Sequence, residues 1–131
     1  MLSFETIKEI RLDLITISLK SDGIVYVYLK ENCEINLETQ AQMFNAFHRI
    51  CEGKMRPFLF EGDPGVTVTK EARDNALLIE ESSPMKATAV IARNTAHTLL
   101  GNFYLKFNKP KRPYKVFKSR AEGLKWLEQF M

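Results

Sequence analysis

Residues 86–117, KATAVIARNTAHTLLGNFYLKFNKPKRPYKVF, constrain this chain more than any other stretch. KATAVIA is short, small and apolar, the pattern of a strand covered on both faces. Asn94 follows and can accept a hydrogen bond from the open N–H groups of a helix. Ala96, Leu99, Leu100, Phe103, Tyr104 and Phe107 then recur at i, i+3, i+4, i+7, i+8 and i+11. That is one apolar stripe of an α-helix, wide enough to pack on a sheet. Pro110 and Pro113 cannot continue a helix, so the chain turns there, and YKVF at 114–117 predicts a second strand. Strand, crossover helix and strand together read as a parallel, right-handed βαβ unit.

The rest of the chain repeats that plan. Residues 1–9 are a mixed lead-in that the pattern leaves open between an extra strand and a short helix. Residues 10–19 are rich in β-branched and aliphatic side chains, but their alternation changes phase. Leu12 and Leu14 fall on one face, and Ile15, Ile17 and Leu19 on the other, which predicts a β-bulge near Ile15. Ser21-Asp22-Gly23 signals a tight turn, and IVYVYLK at 24–30 returns as the second strand of an antiparallel hairpin. Asn36 is placed to cap a helix over 37–52, with Met43, Phe44, Phe47, Ile50 and Cys51 inward and Gly53 as its stop. PFLFE at 57–61 predicts a strand, and Gly62-Asp63-Pro64-Gly65 a loop. Thr69 caps a helix from 70 to about 81 whose inner face is Ala72, Ala76, Leu77 and Ile79. Ser119-Arg120-Ala121-Glu122 is a capping box opening a last helix. That helix is expected to bury Ala121, Leu124, Leu127 and either Trp126 or Phe130. The expected architecture is a single α/β domain over 1–131. It has a mixed, mostly parallel sheet of about five strands, an N-terminal antiparallel hairpin and four helices.

Charge is distributed unevenly. The net charge is +3, yet residues 82–121 contain no Asp or Glu and nine basic residues, so the remainder sums to −6. One region of the surface is therefore expected to be basic and another acidic. No apolar run approaches a membrane span, and the charged start MLSFETIKEIRLDL lacks the apolar block of a signal peptide. Cys33 and Cys51 have no metal-ligand spacing and read as reduced thiols. A cytoplasmic location is the expectation.

Three segments carry a family resemblance: Thr69-Lys70-Glu71-Ala72-Arg73, Asn102-Phe103-Tyr104-Leu105-Lys106 with Lys109-Pro110, and Pro113-Tyr114-Lys115-Val116-Phe117 leading to Trp126-Leu127. With the element order, they resemble STAS-like, SpoIIAA-like domains, and in particular small bacterial STAS-like proteins. The resemblance covers roughly residues 24–130. In sigma-factor antagonists of this fold, a serine at the start of the second helix is phosphorylated to break partner binding. Lys70, Glu71 and Ala72 stand there in this chain, so that switch does not carry over. Thr67 and Thr69 remain as hydroxyls nearby, and capping accounts for Thr69.

Two groups of residues are candidate sites. The first is a rim at the strand ends, formed by Asp63, Thr67, Thr69 and Arg73 facing Arg93, Asn94 and His97. Two arginines beside helix N-termini suit a phosphate or carboxylate, although Arg73 could instead pair with Asp63 or Asp74. The second is the basic run Lys106, Lys109, Lys111, Arg112, Lys115, Lys118 and Arg120, interleaved with Phe107, Tyr114 and Phe117. Charge with rings is a nucleic-acid pattern, but a solvated turn or a patch for an acidic protein fits better if those rings are core residues. Catalysis has no support in the sequence. His48 and His97 fall in different helices, Cys51 lies on an apolar stripe, and no phosphate loop or nucleophile elbow is present. No metal or cofactor is expected. The expectation is a non-enzymatic regulatory or protein-interaction domain, with an anionic or apolar ligand binder as the alternative and weak nucleic-acid binding third. The sequence is compatible with either a monomer or a homodimer.

Overall fold

The computed structural model describes residues 4–92 and 110–131. The main sheet has six strands, in the order β1 (Thr6–Arg11), β2 (Ile15–Lys20), β3 (Val25–Leu29), β5 (Arg56–Gly62), β7 (Met85–Ile91) and β8 (Tyr114–Phe117). The first three strands pair antiparallel, and β3, β5, β7 and β8 are mutually parallel. Two short strands, β4 (Glu34–Ile35) and β6 (Thr67–Val68), form a separate parallel ribbon. Three α-helices accompany them among the described residues: α1 (Leu37–Cys51), α2 (Lys70–Ile79) and α3 (Arg120–Leu127). The mixed sheet with antiparallel start was expected; the count was not, being six strands rather than about five. The helix expected from Asn94 to Phe107, the fourth of the expected set, lies outside the described residues. Its flanking strands are paired in parallel as predicted, with Thr88 opposite Tyr114 and Ile91 opposite Phe117.

The extra strand comes from the N-terminal phase change. No bulge sits at Ile15. The chain reverses through Leu12-Asp13-Leu14, where the Leu12 N–H donates to the Ile15 carbonyl at 2.8 Å, and residues 6–11 become a strand of their own. Reversal flips the face that each side chain meets, and this produces the same phase change as a bulge. The register irregularity of this pair is at the other end, between Thr6 and Lys8.

Alternation divides the sheet into two packed faces. Ile15, Ile17, Val25, Val27 and Phe58 point toward α1, where Phe47, Ile50 and Cys51 are buried against them. The Phe47 ring meets Phe58 edge-on at 4.9 Å, a favoured aromatic geometry. Leu59, Ala87, Ala89 and Ile91 point to the opposite face and pack under α3 through Leu127, with Leu124, Trp126 and Phe130 half-buried around it. The small alanines let α3 approach closely. A Cβ on Gly123 would lie 2.8 Å from the Ile91 Cδ1 and 3.2 Å from the Leu59 Cδ1. Contact through Gly123 rotates the buried stripe, so Ala121, expected in the core, is exposed.

Local signals hold at the helix starts. The Asn36 side chain accepts from the Thr39 N–H at 2.9 Å, the Thr69 hydroxyl from Ala72 at 3.2 Å and the Ser119 hydroxyl from Glu122 at 3.3 Å. Helix α1 ends one residue earlier than predicted. Glu52 takes the left-handed conformation (φ 48°) and donates its N–H to the His48 carbonyl, with Gly53 following at φ 83°. Helix α2 ends at Ile79 and tightens into a 3₁₀ turn over Glu80–Ser82.

Candidate functional site

Helix α2 stands away from the sheet. Of its predicted inner face only Ala72 is buried; Ala76 and Ile79 are half-buried, and Leu77 is 37% exposed. It is tethered to α1 through polar groups: the Gln40 Nε2 donates to the Ala72 carbonyl at 2.7 Å, and the Asn75 Nδ2 donates to the Gln40 Oε1 at 2.8 Å. Between α2, α1 and the sheet lies a cleft of about 460 Å³. Met43, Phe44 and Phe47 line it from α1, Ala76, Leu77 and Ile79 from α2, and Phe60 and Val90 from the sheet. Its upper end meets the carboxyl ends of β5 and β7 at Gly62 and Ala92, where ligands collect in sheets of this kind.

The rim is polar, and the structure accounts for most of it. Asp63 accepts a short hydrogen bond from the Tyr28 hydroxyl and forms no ion pair with Arg73. Thr67 is exposed on β6, with its N–H donated to the Cys33 carbonyl. Thr69 serves as the α2 cap, which is the role that competed with phosphorylation. Arg73 does not pair with Asp74, whose carboxylate takes the Lys70 ammonium at 2.8 Å. Instead the Arg73 Nη1 donates to the Val68 carbonyl at 3.2 Å. Arg93, Asn94 and His97 lie outside the described residues. Asp63, Thr67 and Arg73 do come together on the cleft wall.

Among the described residues the basic run divides into exposed lysines and bonded arginines. Lys106 and Lys109 are outside the described residues, and Lys111, Lys115 and Lys118 are exposed. Arg112 is a structural clamp. Its Nη1 donates to the carbonyls of Ser83 (2.7 Å) and Met85 (2.8 Å), and its Nη2 to that of Glu81 (3.0 Å). Arg120 pairs at 2.8 Å with Glu61, which is only 5% exposed. Phe117 is occupied too: it packs against Trp126 with ring centroids 5.5 Å apart, and the Lys115 ammonium lies over the Phe117 ring, 5.5 Å from its centroid. Phe107 lies outside the described residues. A stacking platform for bases therefore does not form from the described part of this segment.

Sequence reasoning named Arg112 only as part of the basic run and missed its clamp role, the pairing of Glu61 with Arg120 and the cleft itself. The carbonyls that Arg112 binds are distant in sequence, and no local pattern marks them. Burial raises the pKa of the Cys33 thiol and pushes that of Cys51 up to about 11, where the thiolate is scarce. Tyr26 is raised too, first by burial and then by its 2.6 Å hydrogen bond to Asp22. Among the described residues no cluster of His, Cys, Asp and Glu could hold a metal ion, and no helix is long and apolar enough to cross a membrane.

Comparison with solved structures places this geometry. An uncharacterised protein of the DUF3478 family with a SpoIIAA-like fold, from Shewanella loihica PV-4, superposes with a TM-score of 0.56 at 19% identity. The match covers 86% of this chain and 91% of that one. The SpoIIAA-like fold implied by the sequence resemblance is the fold of this chain. A protein with unknown function from Arthrobacter sp. FB24, also 19% identical over 86% of this chain and 97% of that one, superposes with a TM-score of only 0.32 and adds nothing to the assignment. No curated protein matches the chain. The model of a domain of unknown function, DUF7793, matches residues 17–131, and the chain belongs to that family.

Proposed function

We propose that this chain is a non-enzymatic binding domain that holds a small, largely apolar molecule in the cleft between α1, α2 and the sheet. One observation carries the reading: Ala76, Leu77 and Ile79 of α2 line a cleft of about 460 Å³ whose described walls are largely apolar. Apolar walls with a few polar groups at one end are the usual make-up of small-molecule sites. Binding rather than catalysis is supported by the state of the reactive groups. Both cysteines are buried, and exposed His48 makes an edge contact with Phe44 at 4.6 Å.

The test is titration of the full chain with N-phenyl-1-naphthylamine, a neutral apolar fluorophore. Saturable binding at one site is expected. It should be lost in Ala76→Trp, which fills the cleft, with thermal melting used to confirm that the variant folds. Absence of saturable binding, or equal binding by folded Ala76→Trp, contradicts the proposal.

A second reading, docking of a protein partner, is favoured by one feature. Leu78 is 81% exposed on the outer side of α2, with Val68 37% exposed nearby in sequence. Leu78→Ser separates the two readings, since it would weaken partner capture and leave probe binding intact.

A further inference from the structure

We propose that the molecule held in the cleft is a single-chain amphiphile with a carboxylate head seated on Arg73. This inference rests on the cleft being a ligand site. Its basis is an account of the charged groups around the cleft wall. Glu61 is paired with Arg120, and Asp63 accepts from Tyr28. The two oxygens of Glu80 accept the main-chain N–H groups of Lys111 (3.0 Å) and Arg112 (3.2 Å). Arg112 is spent on three carbonyls.

Arg73 differs from all of these. One Nη1 bond goes to the Val68 carbonyl, and no ion pair to a carboxylate forms among the described residues. Its Nε is closed off, out of reach of a molecule in the cleft, so the contact open to a ligand is with the terminal guanidinium nitrogens of this cleft-lining side chain. A carboxylate hydrogen-bonded to a guanidinium makes a charge-assisted contact stronger than a neutral one. An anionic head at Arg73 therefore supplies the carboxylate partner that the described residues do not. The apolar walls below it, including Phe44, Phe60 and Val90, gain from covering an alkyl tail. With Glu61, Asp63, Glu80 and Arg112 committed, Arg73 is the cation among the described cleft residues that can fix which end of the ligand faces the rim.

Calorimetric titration of the full chain with dodecanoate and with dodecan-1-ol, both below micelle-forming concentrations, separates head from tail. Dodecanoate is expected to bind about tenfold more tightly, as one charge-assisted contact predicts. The preference should vanish in Arg73→Gln, with dodecan-1-ol still bound as in the parent chain, and persist in Lys111→Glu. Equal affinities for the two compounds overturn the head assignment while leaving the apolar cleft standing. Failure of both to bind overturns the cleft as well. Co-sedimentation with phosphatidylglycerol vesicles without dodecanoate binding overturns the inference in favour of a membrane surface.

Discussion

The Glu80 carboxylate accepts the Arg112 main-chain N–H at 3.2 Å while the Arg112 guanidinium, reaching back, donates to the Glu81 carbonyl at 3.0 Å. The two residues thus lock the end of α2 and the entry to β7 onto the turn before β8. The acceptors are main-chain carbonyls of the turn after α2 and of the first residue of β7, where a chain leaving a helix has carbonyls to satisfy.

Arg112→Ala is expected to destabilise the fold by about 2–4 kcal/mol, since several hydrogen bonds to a charged group are lost together. Arg112→Lys should recover little of it, because an ammonium cannot reproduce the planar fork. Urea unfolding reads the effect, with exposed Lys115→Ala as the control expected within about 0.5 kcal/mol of the parent chain. An Arg112→Ala protein as stable as its parent would show that the clamp is not formed.

Gly123 is where α3 touches the sheet most closely. Gly123→Val is expected to cost about 1–3 kcal/mol through overpacking against Ile91 and Leu59. Gly123→Ala should cost less, because a gain in helix propensity offsets part of the crowding. If the valine variant unfolds at the same urea concentration as the parent, α3 does not sit where described.

Cys51 makes a pH prediction whose sign is definite. Burial disfavours the thiolate and pushes its folded pKa up to about 11, from 9.0 for an ordinary thiol. A raised acid contributes stability below the unfolded pKa and loses it as pH rises through the folded one, so stability should fall between about pH 9 and 11. Cys51→Ala should flatten that fall. Native protein should also resist the thiol reagent DTNB at pH 8 until unfolded; rapid labelling of Cys51 in the folded state would contradict its burial.

The legible parts of the fold were those written locally. Asn36, Thr69 and Ser119 each bond to an N–H three residues on, so a short window of sequence contains both partners. The reversal at Leu12-Asp13-Leu14 was missed because it carries no Gly, Pro or Asn, and alternation alone does not distinguish a turn from a bulge. Arg112 looked like any exposed cation, since its carbonyl partners lie 27 to 31 residues away. The cleft was illegible for a related reason: Ala76, Leu77 and Ile79 have the spacing of a core face, and only the stand-off of α2 turns that face into a wall. Of the site, Asp63, Thr67 and Arg73 were named from sequence, but their hydrogen-bond partners were not.

A molecule held in the cleft should travel with the protein through gentle purification. Native mass spectrometry of the full chain, beside a denatured sample, reads it. One small added mass per chain is expected, released on denaturation and absent from Ala76→Trp. A bare polypeptide mass that stays bare after incubation with N-phenyl-1-naphthylamine or dodecanoate would contradict it.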